Sequence, residues 1–293
     1  MQRAEYLIVL FFLKLSKLMP ISFVYGMFSF FGTILFWILR KRRALTISNL
    51  TLAYPEKSKK EIYDLAKQCF KSVAKTVAEI FLLFTNKKQL EELILNKDEV
   101  MAKMHKVAAN NKNGIIFVTA HFGNWEILSH FVALCGYPFI VIGREGDNKH
   151  IEKNLTKPFR ERYGSQNIYK KEAMSKMVKT LKNQGNIGIL IDQKTSKTNG
   201  AKGSFFGIEC YSTTSVASMK LKYDPLILPL FAKREKNGRY TIMFEGAVSY
   251  AAEDKKDKDE KISTLTQHYN DILERAIREA PEQWFWMHDR WKI

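Results

Sequence analysis

The run Ile115-Ile-Phe-Val118-Thr-Ala-His121-Phe-Gly123-Asn124-Trp-Glu126 decides how the rest of the chain is read. Ile115–Val118 is short, wholly apolar and preceded by the turn cluster Asn110-Asn-Lys-Asn-Gly114, the pattern of a strand buried on both faces. Gly123 supplies a turn, and Asn124 is placed to cap a helix over Trp125–Leu134. A buried strand feeding a helix through a tight turn is the unit of an α/β sheet.

Working outward, further strands are predicted at Pro138–Ile142, Ile187–Ile191, Leu226–Ala232 and Arg239–Glu245. Helices are predicted at Glu172–Asn183, Thr213–Lys222 and Lys261–Ala280, the last closed by Pro281, with Glu253–Lys261 a charged loop or helix start. Upstream, Ser58 and Glu61 form a capping box. Ile62, Leu65, Cys69, Val73, Val77, Ile80, Phe81 and Phe84 then share one face of a helix of roughly seven turns. Gln89–Ala109 keeps a weaker helical pattern. The expected fold is α/β: a largely parallel sheet flanked by helices, with an N-terminal membrane-associated helix and a helical lead-in. The boundaries read as 1–43 for the membrane segment and 44–293 for the remainder, with the lead-in at 44–110 and the α/β core at 111–293.

Leu18–Leu39 holds no charged residue. These 22 or so residues would measure roughly 33 Å as a helix, against a hydrocarbon core of roughly 30 Å. Pro20 marks the start, and Arg40-Lys-Arg-Arg43 belongs beside anionic headgroups on the cytoplasmic side. Tyr6–Leu13 is too short to span and, followed by Lys14 and Lys17, suits the interface. A removable signal peptide is not expected, because Lys17-Leu-Met-Pro20 offers no small-residue cleavage site. A spanning helix, a half-immersed helix and a buried core helix all fit the Leu18–Leu39 pattern.

The 293 residues carry 47 basic and 30 acidic side chains, a net charge of +17. That balance favours anionic partners: nucleic acid, acidic lipid or an acidic carrier protein. The first lacks support from any helix-turn-helix, zinc-finger or RNP signature, so nucleic acid is not expected. With 46% hydrophobic residues the chain is not a disordered one. Cys69, Cys135 and Cys210 form no CxxC pair and fit a reducing compartment. No metal site and no Walker-type phosphate loop is expected.

Ligands of open α/β sheets bind beyond the carboxyl ends of the strands, where His121 is placed. An imidazole works as a general base near neutral pH. Glu126, five positions on, can fold back onto it to fix the tautomer and stabilise the imidazolium. A surface histidine beside a helix-capping glutamate satisfies the same spacing.

His121-Phe-Gly-Asn-Trp-Glu126 resembles the signature of the bacterial lipid A biosynthesis acyltransferases, the lauroyl/myristoyl branch of the lysophospholipid acyltransferase superfamily. The similarity runs along most of the chain: Asn49-Leu50, Tyr54-Pro55, Gly143-Arg144, Arg160-Glu-Arg162-Tyr-Gly164, Asp192-Gln193, Phe205-Phe206-Gly207, Pro229, and Pro281-Glu-Gln-Trp-Phe-Trp286 followed by Arg290-Trp-Lys292. The departures are Lys194–Gly200 and Lys202-Gly-Ser204, which are more basic and polar than the family pattern. The resemblance implies that His121 deprotonates the hydroxyl of a 3-hydroxyacyl chain on a lipid A precursor. That oxygen attacks the thioester of an acylated acyl carrier protein, and Glu126 orients His121. It also implies substrate contacts by Gly123, Asn124, Arg144, Arg160, Asp192 and Gln193. No cofactor is expected beyond the carrier thioester, and the place implied is the cytoplasmic side of a bacterial inner membrane, among membrane lipids. Taken singly, Arg144 is an arginine at a strand end, Asp192 a turn cap, and Trp284, Trp286 and Trp291 core or interface aromatics. Acyl transfer to a glycerol-type lipid, and a non-enzymatic basic protein of the membrane surface, remain as alternative readings.

Overall fold

A computed structural model describes residues 2–143, 145–169, 173–249, 254–255 and 257–291. The decisive strand, β1 (Ile115–Thr119), lies inside a five-stranded sheet with β2 (Phe139–Gly143), β3 (Gln166–Tyr169), β4 (Asn186–Leu190) and β7 (Leu226–Pro229). The strand order is β3-β2-β4-β1-β7, and every pairing is parallel. Between β4 and β7 the chain makes an antiparallel hairpin of β5 (Gly200–Phe205) and β6 (Ile208–Thr213). A second hairpin, β8 (Phe231–Arg234) with β9 (Tyr240–Met243), follows β7.

The lead-in helices are α1 (Gln2–Leu18), α2 (Ile21–Ile38), α3 (Arg40–Ala53), α4 (Lys59–Phe84), α5 (Leu90–Leu93) and α6 (Lys97–Ala108). The helices of the core are α7 (Trp125–Leu134), α8 (Lys149–Ile151), α9 (Lys157–Arg160), α10 (Ala173–Lys182), α11 (Ser215–Tyr223) and α12 (Lys258–Glu279). One π-helical turn, Glu152–Thr156, joins α8 to α9. Successive strand residues point to opposite faces, so the sheet is coated twice. Ile116, Val118, Ile187, Ile189 and Ile227 pack under α4, α10, α11 and α12. Ile115, Phe117, Phe139 and Leu228 pack under α5, α6 and α7.

The α/β class and the largely parallel sheet are as the sequence predicts. α4 starts where the capping box places it, with Ser58 and Glu61 each accepting from the other's backbone N–H. The predicted single strand Leu226–Ala232 is two: after Leu230 donates to the Val118 carbonyl, the chain leaves the sheet and pairs with β9 instead. β3 and the β5–β6 hairpin are additions that the apolar pattern did not signal, since both are short and half polar. α12 starts at Lys258, capped by Asp257; residues 253 and 256 of the charged run lie outside the described residues. The boundary expected at 43/44 falls within α3, and α2 packs along α4, so the first 43 residues are continuous with the helical lead-in.

Candidate active site

His121 and Asp192 follow the carboxyl ends of neighbouring parallel strands. The β1–β4 register pairs Ile115 with Asn186 and Thr119 with Leu190. Carried two residues further, the same offset sets His121 beside Asp192. The Nδ1–H of His121 donates to Oδ1 of Asp192 at 2.9 Å, and the His121 backbone N–H donates to Oδ2 at 3.0 Å. The indole N–H of Trp284 donates to the same Oδ2 at 2.8 Å. A carboxylate accepts only, so this pairing puts the proton on Nδ1 and leaves Nε2 basic on a side chain that lines a cavity.

The electrostatics separate His121 from the other histidines. Burial works to lower its pKa, but the charge and hydrogen bond of Asp192 outweigh burial and hold it above the ordinary value. At His130 burial outweighs the charge of Glu126 and drives the pKa down to about 4. His288 is also lowered, burial again being the largest cause. Burial works to raise the Asp192 carboxyl; the imidazole, the indole N–H and the backbone N–H together pull it below the ordinary value.

Glu126 does not supply the hydrogen-bonded carboxylate on His121. The first turn of α7 carries its side chain to Arg160, whose Nε and Nη2 grip the two carboxylate oxygens at 2.9 and 2.6 Å. Burial raises the Glu126 carboxyl, yet the guanidinium wins and keeps it ionised below the ordinary range. Its charge still raises His121 through space, as a smaller contribution than that of Asp192.

The turn between them is built from behind. Gly123 sits at φ +56°, and a Cβ there would lie 1.8 Å from the Ala232 carbonyl oxygen. Its N–H donates to the Gln283 carbonyl, and its own carbonyl accepts from the Thr76 hydroxyl at 2.8 Å. Asn124 is fully buried: its side-chain oxygen caps α7 at the Ile127 N–H, and its amide donates to Glu79 at 3.2 Å. Glu79, itself wholly buried, takes a two-pronged contact from Arg234 at 2.7 and 2.9 Å and a hydrogen bond from the Tyr240 hydroxyl. Gly123 and Asn124 therefore shape the turn, with no free polar group presented to a ligand. Gly123→Ala should destabilise the protein by at least about 1–3 kcal/mol, the range for a strained backbone position. An unchanged midpoint in denaturant would show that the Ala232 strand can retreat.

These groups open on a cavity of about 1430 Å³ at the carboxyl edge of the sheet. His121, Glu126, Arg160 and Gln193 line it. On the α7 side its wall is Phe117, Leu128, Val132, Phe139 and Val141; on the other face it meets Met174, Met177, Ile189 and Ile262. Small-molecule pockets typically hold about 300–1,000 Å³, so this one suits something larger than a metabolite. Of the residues singled out in the sequence, Arg144 lies outside the described residues. Sequence reasoning missed Trp284, which holds Asp192, and His288, which lines the cavity and accepts from the Lys194 N–H at 3.1 Å. The only signal for Trp284 was its place in the Pro281–Trp286 block. Among the described residues no cluster of three or more His, Cys, Asp or Glu could hold a metal ion.

The chain is 23% identical over 255 residues to the lipid A biosynthesis acyltransferase of Haemophilus influenzae, covering 86% of this chain and 78% of that protein. It is 23% identical over 278 residues to the lipid A biosynthesis lauroyltransferase of Escherichia coli, covering 94% and 87% respectively. The lipid A biosynthesis palmitoleoyltransferase of the same organism is 22% identical over 258 residues, covering 87% and 80%. Residues 1–293 match the family description "bacterial lipid A biosynthesis acyltransferase", and the chain belongs to that family of acyltransferases.

Proposed function

We propose that the protein transfers a fatty acyl group from an acyl carrier protein thioester to the hydroxyl of a 3-hydroxyacyl chain on a lipid A precursor. His121 is the general base and Asp192 its orienting carboxylate. The observation that carries this is the His121–Asp192 pair, 2.9 Å apart, with His121 in the wall of a large cavity lined by apolar and polar residues. Nε2 of His121 removes the hydroxyl proton as the oxygen attacks the thioester carbonyl. A C–O bond forms, the C–S bond breaks, and the carrier thiolate recovers the proton from the imidazolium. Asp192 stabilises that imidazolium and, with Trp284, prevents the ring from turning. A general base of this kind contributes typically about 10²–10⁴-fold. Two long chains must meet at one reacting centre, and the apolar stretches of the cavity, Phe117, Leu128 and Val132 on one side and Met174 and Met177 on the other, offer them surface.

The Glu126–Arg160 pair forms the polar wall beside the base. It places one carboxylate of fixed charge near the developing imidazolium and a guanidinium next to the reacting centre. The net charge of +17 suits both substrates, a phosphorylated lipid and an acidic carrier. A carrier thioester is a cytosolic species, so the catalytic domain works on the cytoplasmic side of the inner membrane.

Mass spectra of lipid A from a strain deleted for this chain test the reaction. The expected loss is one secondary acyl group, restored by the wild-type protein and not by His121→Ala. A purified assay offering acyl carrier protein or coenzyme A thioesters, and lipid A or glycerol-type acceptors, tests each substrate separately. An unaltered lipid A profile together with transfer to the glycerol-type acceptor would overturn the proposed acceptor.

A further inference from the structure

We infer that this protein sits on one leaflet of the membrane as a monotopic protein, with α1 and α2 lying in the membrane plane and neither helix crossing. α2 is long and apolar enough to span, at 18 residues. Its packing forbids it. α2 runs antiparallel to α4 over nearly its whole length. Near its start, Val24 and Phe28 pack on Ala78, Phe81 and Leu82. At its middle, a Cβ on Gly32 would come within 2.9 Å of the Phe70 and Lys71 backbone. Near its end, Phe36 meets Tyr63 and Phe70 edge to face at 5.2 and 5.3 Å. α4 bears Asp64, Lys67, Lys71, Lys75 and Glu79 along this stretch, and its far face builds the core. Driving α2 through hydrocarbon would take these charges with it, which a bilayer strongly resists.

The ends of the two helices point to the same conclusion. At the start of α1, the Gln2 amide donates to the Asp147 carbonyl at 3.0 Å, while the Asn148 amide donates to the Gln2 carbonyl and the Glu5 carboxylate at 2.7 and 2.8 Å. Where α2 gives way to α3, Arg42 donates to the Met287 carbonyl at 3.0 Å. Asp147 and Asn148 follow β2, and Met287 follows the Trp284 block. Both ends of the 2–39 helical pair are thus fastened to the catalytic domain near the cavity edge. α1 carries Arg3, Glu5, Lys14 and Lys17 and is too charged to cross beside α2, so a spanning α2 would put these anchors on opposite sides of the bilayer.

The outward face supplies the surface for lipid. Of the sixteen large hydrophobic residues exposed among the described residues, twelve fall between Leu7 and Leu52. Phe11, Leu18, Phe23, Phe30 and Trp37 are each more than half exposed, far more than a water-facing surface carries in one place. Residues 1–53 hold seven basic side chains and a single acid, Glu5. Arg3, Lys14, Lys17, Arg40 and Lys41 are exposed around the apolar stripe. An apolar face rimmed by cations fits a leaflet rich in anionic phospholipid. This geometry would hold the cavity mouth at the headgroup level, where a lipid can reach it without leaving the bilayer. The inference does not depend on which acyl transfer the site performs.

Single cysteines in the full-length protein, replacing Gln2, Lys17 or Lys41, test it with a membrane-impermeant maleimide. The three native cysteines are buried and set the background. Applied to inside-out and right-side-out membrane vesicles, the reagent is expected to label all three positions from the cytoplasmic face only. Labelling of Gln2→Cys or Lys17→Cys from the opposite face alone, with Lys41→Cys cytoplasmic, would overturn the inference. Phe30→Glu is expected to reduce binding to phosphatidylglycerol vesicles at high salt at least about tenfold. If Phe30→Glu floats with vesicles like the parent but turns a dimer into a monomer, the apolar face belongs to a second copy of the chain and the inference falls.

Discussion

His121→Ala is expected to lower turnover by about 10²–10⁴-fold, the contribution of a general base, with the fold retained. Folding should survive because the imidazole is a quarter exposed on the cavity wall, and its loss leaves no unfilled core. It does strand Asp192, which keeps hydrogen bonds from the His121 backbone N–H and from Trp284. Those two donors prevent the carboxylate from becoming an unpaired buried charge. The measurement is single-turnover transfer with saturating acceptor, alongside circular dichroism of the variant. A folded variant within about tenfold of wild-type turnover would remove His121 from the mechanism, since a positioned base is worth at least roughly a hundredfold.

The second large effect is at Asp192. Asp192→Asn preserves the size of the side chain but offers an N–H₂ or a neutral carbonyl to Nδ1. An N–H₂ facing the ring forces the proton onto Nε2, the nitrogen that must accept. The same exchange in serine proteases costs about 10⁴-fold, so a loss of about 10³–10⁴-fold is expected here. The pH profile distinguishes this from simple disruption. As the proposed base His121 works only when neutral, and Asp192 holds its pKa above the ordinary value against the opposing pull of burial. Activity therefore falls as pH drops through that raised value. Without the Asp192 charge, burial dominates and lowers the imidazole pKa, so the acid limb should move to lower pH while the plateau drops. An acid limb that stays in place would mean that Asp192 does not set the charge state of His121. Glu126→Gln provides the contrast: it keeps an acceptor for Arg160, removes the smaller through-space contribution, and should shift the limb less.

The two carboxylates show how far local pattern reaches. The chain from Ile115 to Glu126 is legible because each step is decided by neighbours: an apolar run, a glycine, a capping asparagine and an amphipathic helix. His121 is where that reading puts it, at the carboxyl end of β1, and the capping box starts α4 at the expected residue. The partner of His121 is another matter. Glu126 is close in sequence but is turned by the first helical turn onto Arg160, 34 residues away. Asp192 is 71 residues away and arrives only because β4 pairs with β1 in one register. A one-residue slip would turn Asp192 to the other side of the sheet. Nothing local to Asp192 fixes that register; it follows from packing both sheet faces at once.

Arg234, Tyr240 and Trp284 were unreadable for the same reason, because each works by meeting a buried carboxylate from a distant segment. By itself the sequence determined the α/β class, the strand-to-helix turn, the place of His121 and the apolar character of the N-terminus, all carried by residues within one or two helical turns of each other. Tertiary structure alone decided which carboxylate serves the imidazole, which one pairs with Arg160, and that α2 lies along α4. These depend on strand register and helix docking, whose energies come from surfaces that are contiguous in space and scattered along the chain.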